Sequence, residues 1–168
     1  MIRILVCSLW VWFGSTQLGY GQAGSALSFQ QLDSLQQIEK KPVLVFIHTD
    51  WCKYCQNMKH TTFQDKTVQA WLDSAFYFVS LDAESTQDIR LQGRTFHYRP
   101  TGNGTGQHEL AQVLGNVEGK LTFPTLCFLN EDYEIIYQQV GFVSAKQLKA
   151  YFKILFAEKE EEAYPEHK

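Results

Sequence analysis

The feature that most constrains this chain is Asp50-Trp51-Cys52-Lys53-Tyr54-Cys55, set between the apolar run Val43-Leu44-Val45-Phe46-Ile47 and the segment Gln56-Asn57-Met58-Lys59-His60. A nearly continuous apolar run is the pattern of a central strand covered on both faces. The two cysteines are therefore delivered from a strand into the start of a helix. If residues 52 to 60 are helical, Cys52 and Cys55 lie one turn apart on one face, with Cβ atoms about 5 Å apart. A disulfide closes there after a small adjustment. It closes a loop of about four residues, so chain entropy gives about 2 kcal/mol of stabilisation, against about 4.7 kcal/mol for a 100-residue loop. Such a weak staple suits a bond that opens and closes.

Position dictates the chemistry of the pair. Unpaired backbone N–H groups and the positive end of the helix dipole favour an anion in the first turn, which lowers the pKa of Cys52 and makes it the nucleophile. Lowering a thiol pKa from about 8.5 to about 6.5 raises the thiolate fraction at pH 7 from about 3% to about 75%. Cys55, deeper along the helix, is the resolving thiol. A Cys-x-x-Cys pair also supplies half of a zinc site. No second Cys-x-x-Cys and no His-x-x-x-His completes one, and His48 and His60 point in different directions, so no metal is expected. Trp51 is either a core aromatic or a shield for the dithiol that offers a surface to substrates, and its place directly before Cys52 favours the second. His48, Asp50 and Lys53 flank the pair and are candidates for tuning its pKa values. Cys127 alternates with Leu126 and Phe128 in an apolar strand, the setting of a buried and inert thiol.

Trp-Cys-x-x-Cys between a strand and a helix resembles the active site of the thioredoxin superfamily. The stretch from Lys41 to Leu72, with Thr62-Phe63-Gln64-Asp65 and Val68-Gln69, is similar to the thioredoxin-like C-terminal domain of periplasmic electron-transporting disulfide reductases, and the resemblance covers residues 41 to 156. It implies an α/β thioredoxin fold, a central mixed β-sheet flanked by helices, with a hairpin and loop insertion before a cis-proline. Phe123-Pro124-Thr125 matches that proline, which the spacing alone does not make cis, because only about 5 to 6% of X-Pro bonds in folded proteins are. Trp51, Phe123, Pro124 and Thr125 become the substrate-binding residues, with the main chain of Phe123 open to pairing with an extended substrate strand. The implied activity is thiol–disulfide exchange with no cofactor beyond the Cys52–Cys55 couple. The implied partners are disulfide-containing exported proteins and a membrane or periplasmic electron donor, and the direction is reduction. One position departs from the pattern: the family's buried acid, six residues before the first cysteine, is Phe46 here. Asp50 and His48 are the residues placed to take over its role through water.

The rest of the chain follows in order. Met1 to Ala23 has the form of a secretory signal peptide: Arg3 as the charged start, Ile4 to Phe13 as the apolar segment, and Gly21-Gln22-Ala23 as the cleavage site. An apolar segment of about ten residues makes a helix about 15 Å long, half of a hydrocarbon core of about 30 Å. A soluble periplasmic or secreted monomer is expected. Cleavage leaves three of the four cysteines and moves the formal net charge from −3 to −4 by removing Arg3. A mildly acidic chain without a basic cluster offers nothing to nucleic acid or an anionic membrane.

Residues 24–157 make one domain and 158–168 a charged tail. Ser28 caps a helix with Phe29, Leu32, Leu35 and Ile38 on its inner face. Asp65 caps a short helix over Val68, Trp71 and Leu72, and Phe76 to Leu81 is the next central strand. Residues 84–118 are the insertion: Ile89-Arg90-Leu91 and Phe96-His97-Tyr98 alternate around Gln92-Gly93 as a hairpin, Arg99 to Gln107 is a flexible loop, and His108 to Leu114 is a short helix. Thr125–Leu129 and Glu134–Val140 form closing strands around the turn at 130–133, and Ser144 caps the last helix. A second function stays open: a binding or chaperone-like module in which 84–118 holds a partner and the dithiol only responds to redox state.

Overall fold

The computed structural model describes residues 26–156, so the signal-peptide and tail assignments lie outside the described residues. In chain order the elements are α1 (Phe29–Ile38), β1 (Val43–His48), α2 (Lys53–His60), a 3-10 turn (Thr62–Gln64), α3 (Lys66–Ser74) and β2 (Tyr77–Asp82). Then come β3 (Ile89–Leu91), β4 (Arg94–Phe96), β5 (Tyr98–Gly102), β6 (Thr105–His108), α4 (Glu109–Gly115), β7 (Asn116–Val117) and β8 (Lys120–Leu121). The chain closes with β9 (Thr125–Leu129), β10 (Ile135–Val140) and α5 (Ala145–Leu155).

The main sheet runs β10-β9-β1-β2, with β1 parallel to β2 and antiparallel to β9, and β9 antiparallel to β10. All six residues of β1 are buried, and their alternation divides the core in two. Leu44 and Phe46 face α2, α3 and α5, among Met58, Phe63, Trp71, Phe76, Phe128, Leu148 and Phe152. Val43, Val45 and Ile47 face α1 and α4, among Phe29, Leu32, Val79, Leu110, Leu114 and Leu129. Each fully buried side chain of this kind contributes about 1.5 to 3 kcal/mol, so a strand feeding both layers is the backbone of the molecule.

The helices start where their caps dictate. Ser28 and Gln31 form a capping box on α1, Ser144 and Gln147 form another on α5, and Asp65 accepts from Thr67 and Val68 at the start of α3. Ile38, which its spacing of three places on the inner face, is 82% exposed. At about 100° per residue, nine steps from Phe29 turn Ile38 to the opposite side of the helix. Gln36 is buried instead, its amide bonded to both the carbonyl and the N–H of Lys41. β2 is also corrected from a central strand to an outer one. Its apolar run reflects cover on both faces, and along its free side the described chain adds a single parallel bridge, Leu27 to Val79.

The inserted segment is more ordered than its composition suggests. Gln92 and Gly93 both take positive φ, 51° and 74°, the geometry of a two-residue hairpin turn, and β4 begins at Arg94, two residues earlier than the Phe96-His97-Tyr98 strand implies. Arg99 to Gln107 is not a flexible loop but most of a second hairpin, β5 with β6. Gly106 is obligatory there, because a Cβ would stand 2.3 Å from the Tyr98 ring and 2.6 Å from the Arg99 carbonyl oxygen. Leu91, Phe96, Leu110 and Leu114 put part of this segment into the α1/α4 core, so it belongs to the domain it interrupts.

Candidate active site

β1 ends at His48, and after buried Thr49 and exposed Asp50 the chain reaches Trp51 and the dithiol at the head of α2. Cys52 is the N-cap of α2: its Sγ accepts from the Cys55 backbone N–H at 3.1 Å, and its carbonyl accepts from Gln56 at 3.1 Å. The pair is joined as a disulfide, with S–S 2.05 Å and Cα–Cα 5.2 Å. Cys52 retains 5% exposure and Cys55 none, so solvent reaches the pair from the Cys52 side. The first turn of α2 contains no acidic residue to compete for its N–H groups.

An aromatic rim surrounds this edge. Trp51 is 66% exposed yet fixed: its indole N–H donates to both carboxylate oxygens of Glu84 at 3.1 Å, and its ring meets Phe123 edge-on at a centroid distance of 6.0 Å. Trp51 is therefore a surface aromatic and not a core one. The Phe123–Pro124 bond is cis. Pro124 and Thr125 are buried, with the Thr125 hydroxyl donating to the Thr122 carbonyl at 2.8 Å and the Pro124 carbonyl accepting from Gly141 at 2.8 Å. The structure thus joins Trp51 to Phe123 and ties both ends of the proline loop. Tyr54, also 66% exposed, stands on the outer face of the first turn of α2.

Of the three residues proposed to tune the pair, Asp50 and Lys53 are exposed and His48 is buried. His48 stacks on Phe46 at 5.2 Å, with Nε2 2.9 Å from the Ser80 hydroxyl and Nδ1 3.4 Å from the Lys59 ammonium. An ammonium has only donors, which assigns Nδ1 as the acceptor and leaves the ring proton on Nε2. Burial pushes the His48 pKa down, and the Lys59 charge pushes it further, against Asp82 and Asp50. The Thr49 hydroxyl is buried and has no hydrogen-bond partner. Cys127 lies in the opposite layer, fully buried, with its pKa pushed up to about 12 by desolvation. Among the described residues no group of three or more His, Cys, Asp or Glu side chains is arranged to hold a metal ion, and no helix is long and apolar enough to cross a membrane.

Two site residues were not evident beforehand. Glu84 is 33 positions from Trp51 and carries no local signal. Lys59 follows Cys55 by four residues on α2, so helical spacing could have placed it on the dithiol face.

The family model for the thioredoxin-like domain matches residues 29–155. The Escherichia coli thiol:disulfide interchange protein DsbD is 29% identical over 87 residues, covering 47% of this chain and 15% of that protein. The chain therefore matches only a small part of the curated relative's length. Among solved structures, the oxidised DsbD C-terminal domain of Neisseria meningitidis superposes with a TM-score of 0.51 at 17% identity, covering 77% of this chain and 98% of that one. A thioredoxin from Thermus thermophilus superposes with a TM-score of 0.52 at 22% identity, covering 83% and 95%. The match spans the sheet, the helices and the dithiol together, so the chain belongs to the thioredoxin-like domain family and is a thiol–disulfide oxidoreductase of that family.

Proposed function

We propose that this protein reduces disulfides of exported proteins by dithiol–disulfide exchange at Cys52 and Cys55. The observation that carries the reading is the disulfide at the head of α2, with Cys52 as its solvent-facing member and Cys55 sealed behind it. Reduced Cys52, at the positive end of the helix, attacks a substrate disulfide as thiolate and forms a mixed disulfide, which Cys55 then resolves. Trp51, Phe123, Pro124 and Thr125 supply the substrate edge. The name of the E. coli relative, a thiol:disulfide interchange protein, supports the chemistry. The reducing direction, a membrane or periplasmic electron donor, and action outside the cytoplasm rest on the sequence of residues 1–23 and on the resemblance to the reducing branch.

Turnover of a protein disulfide substrate with a chemical electron donor tests the reading. Cys52→Ser is expected to abolish turnover, and Cys55→Ser to accumulate mixed disulfides with exported proteins. A Cys52→Ser protein that keeps its biological function would instead favour a binding module built on residues 84–118.

A further inference from the structure

The dithiol face of α2 carries a cation that the exchange chemistry described so far does not use. Lys59 lies four residues beyond Cys55, so the two side chains leave the same helix face one turn apart, with Cβ atoms about 5 to 6 Å apart. A lysine in a last turn ordinarily turns towards the free carbonyls at the helix end. Lys59 does the reverse and reaches back towards the start of α2, the direction in which helical side chains tilt, until its ammonium meets Nδ1 of buried His48 at 3.4 Å. His48 is held in turn by the Ser80 hydroxyl at 2.9 Å and by stacking on Phe46. Phe46 and Cys55 belong to the same apolar cluster, which has low polarisability and magnifies the effect of a nearby charge. The other charged groups facing this corner are Asp82 at the end of β2 and Asp50 in the loop before the dithiol, both of which act on His48 against Lys59.

We propose that Lys59, positioned by His48, stabilises the thiolate of Cys55 during resolution of the mixed disulfide. The inference rests on the dithiol-exchange function proposed above and deepens it. In that step Cys55 loses its proton to solvent, its sulfur bonds to Cys52 Sγ, and the bond between Cys52 and the substrate sulfur breaks. The substrate sulfur departs with the electron pair and takes up a proton, so the substrate is reduced and the pair Cys52–Cys55 is oxidised. Cys55 has no exposure, and burial alone opposes its ionisation. A cation rooted one turn along the same helix face and anchored on His48 offsets that opposition. Because His48 accepts from Lys59 and is neutral, it holds the ammonium in place without adding a charge of its own, and Lys59 is the cation on the helix that carries Cys55. Lys59 and His48 act as positioning and electrostatic residues, without contact with the substrate.

The test titrates Cys55 in the full-length Cys52→Ser protein through the ultraviolet absorbance of the thiolate, which needs no turnover. Cys127, with its pKa pushed up to about 12, stays silent over the useful range. Adding Lys59→Gln is expected to lower the Cys55 thiolate fraction about tenfold at any pH below its pKa, equivalent to about 1.4 kcal/mol. Lys59→Arg is expected to restore most of it, and His48→Asn to give a smaller loss by releasing the ammonium to solvent. A purely structural role would reduce stability without moving the titration, and Arg would not rescue it selectively. An unchanged Cys55 titration in Lys59→Gln overturns the proposal. Because wild-type turnover is measured separately, a failure here leaves the oxidoreductase reading standing, and an inert wild type refutes that reading without touching the titration. Should Lys59→Gln fail to fold, the comparison of wild-type Lys59 with Lys59→Arg and His48→Asn still decides, since equal titrations in all three contradict the proposal.

Discussion

Cys52 and Cys127 bear the same functional group in opposite settings. Cys52 caps a helix at the solvent edge, where N–H groups and the dipole favour its anion. Cys127 is buried in β9 between the apolar layers, and desolvation pushes its pKa up to about 12. At pH 7 a thiol with that pKa is ionised in only about one molecule in 10⁵. Iodoacetamide is therefore expected to label Cys52 of the reduced native protein at least a hundredfold faster than Cys127, as followed by peptide mass spectrometry. Comparable rates at the two sites would contradict the assigned roles. At this scale the dithiol and the buried cysteine were legible because each is defined by neighbours along the chain, whereas the cis bond at Pro124 was legible only through the family resemblance. Glu84 was not, because its contact with Trp51 exists only after β2 has brought residue 84 back beside the end of β1. The burial of His48 was equally unreadable, since a polar residue at the end of an apolar strand can face either solvent or the core.

At the scale of elements, Asp65 does two jobs. Its carboxylate caps α3 through Thr67 and Val68 and reaches Lys149 of α5 at 3.1 Å, tying together two helices of the same layer. The backbone bonds from the cap are the leading cause of its lowered pKa, with Lys149 adding to them. Asp65→Ala is expected to destabilise the fold by about 1 to 2 kcal/mol, read as a lower urea midpoint, and Asp65→Asn by less, because it keeps a capping oxygen. Equal stability of Asp65→Ala and wild type would show that α3 is held by packing alone. The caps at Ser28, Asp65 and Ser144 were readable because capping is a local rule. The hairpin of β5 and β6 was not: Arg99 to Gln107 is polar and glycine-rich, which matches a loop, and its order comes from pairing across the strands and from Tyr98 lying over Gly106. Phe76–Leu81 misled in the opposite direction, since an apolar run reports cover on two faces and says nothing of neighbours on two edges.

At the scale of the whole molecule, two histidines are buried among the described residues, one in the main sheet and one in the inserted segment. His48 ends β1, and His108 caps α4, with Nδ1 accepting from Leu110 at 3.2 Å and Nε2 donating to the Gln87 carbonyl at 3.1 Å. His108 joins the two hairpins to the main domain, because its own N–H also donates to Ala83 at 2.7 Å. Burial is the leading cause that lowers both pKa values below the ordinary 6.5. A depressed pKa in the folded state means that the unfolded chain binds more protons as pH falls. The stability that these histidines contribute is therefore complete above about pH 6.5 and is lost as pH falls through their folded-state pKa values. Urea midpoints are expected to drop between about pH 7 and pH 5, and His108→Gln to flatten that slope while lowering stability at every pH. A slope unchanged by His108→Gln would remove this residue as a source of the pH dependence.

The central claim is that Cys52 is the sulfur that meets the substrate. It is tested most directly by mapping the adduct that reduced Cys55→Ser protein forms with a disulfide-containing peptide, after quenching in acid and proteolysis. The expected result is a mixed disulfide confined to Cys52, formed much faster than on an unstructured peptide bearing the same Trp-Cys sequence. An adduct on Cys127, or formation at Cys52 no faster than on the free peptide, would contradict it.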